Sequence, residues 1–238
     1  MDSTHERYAK PTGQIATRPD ARGIVAFPWV TGIFVAVVLL AWVLVAVQQG
    51  LAGADGGLRS ALLHGPSDAL LLHDGALDGA TLARGEWWRL LTSQELHVKL
   101  GHMLLNAVGL AIVGAALERR IGSWRLLVIA VLGGVTGQLA SALAYPTLVS
   151  SGASQAALAL VAALGVIAVR QWLRRDARLD ISDWIGIAVA ALYLCISLAL
   201  DLSAAHTIKA GHSAAFVAGA LLAVALGFSK PSRVQIAQ

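Results

Sequence analysis

Six mainly apolar stretches, separated by polar and charged segments, set the pattern of this chain: Ile24 to Val47, Gly101 to Leu117, Leu126 to Tyr145, Ala153 to Val169, Trp184 to Leu202 and Gly211 to Gly227. A helix that crosses a bilayer needs about 20 such residues, fewer where neighbours shelter it. Each stretch therefore predicts a transmembrane helix, and together they predict an all-α membrane protein with six transmembrane helices. The boundaries give a tail at 1–23, a membrane domain at 24–228 and a second tail at 229–238, with a long first loop at 48–100. The first stretch is longer than a signal-peptide core and ends Val-Ala-Val-Gln-Gln-Gly, without a small-residue cleavage site, so it predicts a retained helix. The first loop is too long to be a mere connector, which makes it a candidate functional element. Within it, Trp87, Trp88 and Arg89 stand together and predict an anchor in the headgroup zone, which indole and guanidinium both favour.

Composition agrees with this reading and removes several others. Of the 238 residues 57% are hydrophobic and 13% charged, against about 25% charged in soluble domains. Mean hydropathy is +0.69. So apolar a chain excludes a disordered or nucleic-acid-binding protein, and the net charge of +4 reads as asymmetry across a membrane. Arg7, Lys10, Arg18 and Arg22 lie in the first tail, Arg119, Arg120 and Arg125 between spans two and three, Arg170, Arg174, Arg175 and Arg178 between spans four and five, and Lys230 and Arg233 after span six. Basic residues stay on the cytoplasmic side. Both termini are thus predicted cytoplasmic, and the first loop extracytoplasmic. The lone cysteine, Cys195, can form neither an internal disulfide nor a thiolate cluster. No His-Glu-x-x-His motif is present, which disfavours metal-dependent proteolysis, and no metal is expected.

Polar residues inside a bilayer are costly and point to function. In this orientation spans two, four and six all run inward, so their first turns share one depth. Those turns hold His102 and Asn106, Ser154, and His212. A rise of 1.5 Å per residue puts all four within about two turns of the outer boundary. His102 and Asn106, four apart, share a helix face. The set contains a serine able to act as nucleophile, a histidine able to take its proton, and two side chains able to donate to an oxyanion. Taken singly, each is more often a packing residue or interhelical glue than a catalytic one. Gly211, Ala215, Gly219 and Ala223 form a small-residue stripe on span six, and close packing of spans four and six would bring Ser154 to His212. Asp201, with no second acid in another span, is expected to be structural.

From about Gly85 to Gly227 the chain resembles the rhomboid intramembrane serine proteases. The resemblance runs through Gly-Glu-Trp-Trp-Arg-Leu-Leu-Thr at 85–92, His97, His102 with Asn106, Leu-Glu-Arg-Arg-Ile-Gly-Ser-Trp-Arg at 117–125, Gly152-Ala-Ser154, and Gly-His212 followed by Gly219. It implies a Ser–His dyad without a third member, with Ser154 as nucleophile and His212 as base and then acid. His102, Asn106 and the Ser154 N–H would form the oxyanion hole, beside Gly152 and Gln155 as substrate-site neighbours. His97 would hold the first loop, and Glu118, Arg120 and Gly122 would form a cytoplasmic structural turn. The implied substrates are single-pass transmembrane proteins cut near the extracytoplasmic face of the plasma (inner) membrane, with no cofactor, the lipid bilayer as surroundings and no nucleic acid.

Two positions depart from the family pattern. Gln155 follows the serine where glycine is usual, and Ala215 stands where a glycine is usual three residues after the base. Gln155 either crowds span six or turns aside and donates a hydrogen bond. Two functions remain open: an active endopeptidase, favoured by the complete set of chemical side chains, and a catalytically inactive rhomboid-like protein that binds transmembrane clients, favoured by Gln155.

Overall fold

A computed structural model describes residues 27–51, 57–174, 181–203 and 209–226. The tails at 1–23 and 229–238, together with Arg175, Arg178 and His206, lie outside the described residues. Among the described residues the chain is helical, with a single isolated antiparallel bridge between Leu77 and Ser150. Five helices among the described residues are long and apolar enough to cross a membrane: α1 (Trp29–Leu51), α6 (Leu100–Ile121), α7 (Ser123–Ala144), α8 (Ser154–Arg174, apolar through Leu173) and α9 (Ile181–Ser203). The sixth apolar helix, α10 (Lys209–Ala225), is shorter. Among its described residues the first loop has four short helices, α2 (Gly57–His64), α3 (Asp68–Asp74), α4 (Gly79–Ala83) and α5 (Arg89–Thr92).

Helix ends follow local chemistry more closely than hydropathy does. The first span starts at Trp29 rather than Ile24, directly after Pro28, whose carbonyl accepts from the Gly32 N–H; proline suits a helix start because it has no N–H to leave unpaired. At the far end of α6 the charged run is helical too, because Glu118 is put to use. Its carboxylate accepts from the Val30 and Thr31 N–H groups, from Thr31 Oγ1 and from Ser123 Oγ at 2.6–3.1 Å. A buried acid thus caps α1, whose first-turn N–H groups have no partner within their own helix. Arg120, at the same end, pairs with Asp183 in the first turn of α9.

Helices α7, α8 and α10 make the tightest contacts, because small residues let their backbones approach. A Cβ added at Gly219 would lie 2.5 Å from the Ala159 Cα, so α10 rests directly on the α8 backbone. Gly211 on α10 sits against the Gly137 carbonyl of α7 in the same way. The small-residue stripe of α10 therefore serves two neighbours, one at each end. Helix α9 is less enclosed and seats Tyr193 on Gly109 of α6, where any side chain would strike the ring. That contact lies just before a π-helical turn at Leu110–Gly114 in the middle of α6.

Candidate active site

The first turns of α6, α8 and α10 meet at one end of the bundle. Ser154 opens α8, and its Oγ lies 2.9 Å from His212 Nε2 on α10. Serine and histidine are held by the close packing of their helices, two turns of α10 separating His212 from Gly219. Gly152 precedes them with φ +124°, a conformation that side chains rarely adopt. A Cβ there would come 2.7 Å from His102 Cε1 and 3.6 Å from Asn106 Nδ2. Glycine thus keeps open the space that His102 and Asn106 face, beside the serine.

Asn106 is fixed by two partners. Its Oδ1 accepts from Tyr193 Oη at 2.5 Å, and its Nδ2 donates to His97 Nε2 at 2.9 Å. His97 Nε2 also lies 3.3 Å from the Ala153 N–H, and its Nδ1 bonds the Glu95 carbonyl at 3.2 Å. The ring therefore carries its proton on Nδ1 and accepts at Nε2. Burial, with the neighbouring His102 ring, pushes the His97 pKa down to about 3, which keeps it neutral. His97 ties the end of the first loop to the start of α8.

The second hydrogen-bond partner of His212 is an acid. Asp201, near the C-terminal end of α9, places its carboxylate oxygens 2.8 and 3.0 Å from His212 Nδ1. Serine, histidine and aspartate thus lie in one hydrogen-bonded line.

Residues 84–229 match the family model described as "Rhomboid domain". The chain belongs to the rhomboid family. Rhomboid protease GluP of Bacillus subtilis is 30% identical over 208 residues, covering 85% of this chain and 36% of that protein. Rhomboid-like protease 3 of Toxoplasma gondii is 27% identical over 158 residues, 66% of this chain and 58% of its own length. Inactive RHOMBOID-like protein 8 of Arabidopsis thaliana is 30% identical over 173 residues, 65% of this chain and 48% of its own. The chain spans between about a third and three-fifths of these relatives' lengths. The rhomboid family thus contains proteases and at least one inactive member, and this chain is a multi-pass membrane protein.

Within this rhomboid domain three sequence expectations change. Gln155 is fully buried and turns to α7: its Cγ would lie 2.5 Å from a Cβ at Gly137. Of the two expected directions it takes the second, turning aside, but it accepts where it was expected to donate: its Oε1 lies 3.2 Å from Ser154 Oγ and 3.5 Å from Gln138 Nε2. Gly137, absent from any motif, is what makes room for it. Arg89, expected to be an exposed anchor, instead turns inward. It is buried, donating to the Leu72 and Ala76 carbonyls at 2.5 and 2.8 Å and to Glu86 at 2.5 Å, because the turns of the first loop leave those carbonyls without backbone partners. Trp87 and Trp88 beside it are exposed. Asp201, expected to be merely structural for want of a second acid, has a histidine as its partner instead.

Proposed function

We propose that this rhomboid protein is an intramembrane serine endopeptidase that hydrolyses a peptide bond of single-pass transmembrane proteins near the extracytoplasmic face of the plasma (inner) membrane. The observation that carries this reading is the Ser154–His212 hydrogen bond at the mouth of α8. Ser154 Oγ attacks the scissile carbonyl carbon while its proton passes to His212 Nε2, and the carbonyl π electrons move onto oxygen. When the tetrahedral adduct collapses, the C–N bond breaks and the Nε2 proton goes to the leaving amine. Water then attacks the acyl-enzyme, with the same histidine as base, and releases the acid and the serine.

The developing oxyanion needs donors already in place. Asn106 uses one N–H on His97 and keeps the other, Tyr193 holds its carbonyl, and His102 faces the same space over Gly152. The Ser154 backbone N–H at the start of α8 adds a third donor. Six spans with both termini cytoplasmic follow from the arginine-rich ends, and they put the site at the outer face, where water is available to hydrolysis. The tails at 1–23 and 229–238 would flank the membrane domain at 24–228 on the cytoplasmic side, and the loop at 48–100 would cover its outer side.

A second reading has its own support. The single Ser154 hydroxyl proton has two acceptors in reach, His212 and Gln155, and the family has an inactive relative. A client-binding protein that does not cut would show the same fold. Labelling of the purified protein with a fluorophosphonate, mapped by mass spectrometry, separates the two. Modification at Ser154 that disappears in His212→Ala supports the hydrolase; folded protein that does not label, beside an active relative that does, supports the client-binding reading.

A further inference from the structure

We infer that Asp201 is a positioning residue for His212, so that the hydrolytic site is a Ser154–His212–Asp201 line rather than a dyad. The inference rests on the hydrolase reading and extends it. Three observations carry it. Both carboxylate oxygens of Asp201 lie within 3.0 Å of His212 Nδ1, while Nε2, on the opposite side of the same ring, meets Ser154 Oγ at 2.9 Å. An ionised carboxylate only accepts, so the ring proton must sit on Nδ1. Nε2 is then left with its lone pair towards the serine hydroxyl, the tautomer a general base requires.

The second observation concerns the competition for the serine proton. With the opposite tautomer, Nε2 would carry hydrogen and the hydroxyl would turn to Gln155 Oε1, 3.2 Å away. Asp201 therefore decides which of two acceptors, half-buried His212 or buried Gln155, receives the serine proton, and its removal favours the unreactive one. Thirdly, Asp201 does not stand alone on its helix. Tyr193, Ser197 and Asp201 follow at four-residue spacing on α9 and are all buried. Residues so spaced share a helix face. Tyr193, at one end of this face, holds Asn106, and Asp201, at the other, holds His212. One helix thus positions both the base and an oxyanion donor without touching the reacting atoms itself.

The test uses the whole chain in detergent or nanodiscs, with ¹⁵N-labelled histidine and a His212→Gln control to assign the signal. Wild-type His212 is expected as the Nδ1–H tautomer. Asp201→Asn, close in shape, presents an amide that can donate to Nδ1, and shifts His212 towards Nε2–H. The same variant is expected to lose at least tenfold, and up to about 10⁴-fold, in the rate of fluorophosphonate labelling at Ser154. With a transmembrane substrate the loss appears in kcat, with KM within about twofold. A wild-type spectrum showing the Nε2–H tautomer overturns the inference and needs no variant to fold. A folded Asp201→Asn protein that labels within twofold of the wild type overturns it as well, while leaving Ser154 and His212 as a working pair. Wild type that does not label at all overturns the hydrolase reading itself, and this inference with it.

Discussion

Gly219→Ala tests whether helix packing sets the distance between serine and histidine. The new Cβ would point at the α8 backbone, 2.5 Å from the Ala159 Cα and 2.6 Å from its carbonyl carbon. Carbon atoms settle at about 3.5–4.0 Å, so the two helices must separate by about 1 Å, and no flexible side chain can yield in their place. Gly219 lies two turns from His212 on the same helix, and α8 carries Ser154 at its start. The Ser154–His212 bond, now 2.9 Å, would open beyond hydrogen-bonding range. A misplacement of about 1 Å between reacting groups costs about 10²-fold in rate. The assay is the second-order rate of fluorophosphonate labelling in nanodiscs, with Ala220→Val, on the less buried side of α10, as control. Gly219→Ala should label about a hundredfold more slowly while remaining folded by thermal melt. Wild-type labelling by a folded Gly219→Ala protein would refute the argument that this contact holds the pair.

Other expectations concern the first loop and the surroundings of the serine. Glu95 is half-buried, one carboxylate oxygen has no hydrogen-bond partner among the described residues, and burial raises its pKa to about 7 from 4.5. Between those values the folded protein holds a proton that the unfolded chain has lost, so stability falls as pH rises, by about 3 kcal/mol in all. Glu95→Gln should therefore melt higher than wild type at pH 8 and equally at pH 4.5; a difference that does not vary with pH would contradict this. Gly152→Ala combines an unfavourable φ with a methyl group set against His102, and should reduce kcat about 10²–10³-fold, the range for loss of an oxyanion donor, measured as substrate turnover. Gln155→Gly leaves a void against Gly137 and puts glycine in a helix, so it should destabilise by about 2–5 kcal/mol in equilibrium unfolding while freeing the serine proton for His212.

Five long apolar helices, and the meeting of His102, Asn106, Ser154 and His212 at one end of the bundle, are legible because each depends on local spacing: apolar run length for the helices, and position along each helix for the side chains. What escaped depends on contacts between helices. Asp201 was judged by the absence of a second acid, although a signal was present: α9 and α10 are consecutive antiparallel helices, so residues flanking their connection are neighbours, and Asp201 and His212 are eleven apart. Tyr193 gave no such sign, because its reach to Asn106 depends on Gly109 giving its ring a seat. The direction of Gln155 was set by Gly137 on another helix. Arg89 looked like a surface residue because no sequence pattern reveals carbonyls that need a donor.

The Glu118 cap bears on how the chain is built. Its partners at Val30 and Thr31 lie 87–88 residues earlier. At a synthesis rate of about 5–20 residues per second, roughly 4–18 s pass between the emergence of the α1 start and that of its acceptor. During that interval α1 has to enter the bilayer on its own apolar length, its leading N–H groups met by water or lipid headgroups. The carboxylate then arrives as a late clasp. It joins a helix already inserted to one made later, and fixes α1 in the bundle after the membrane has accepted it.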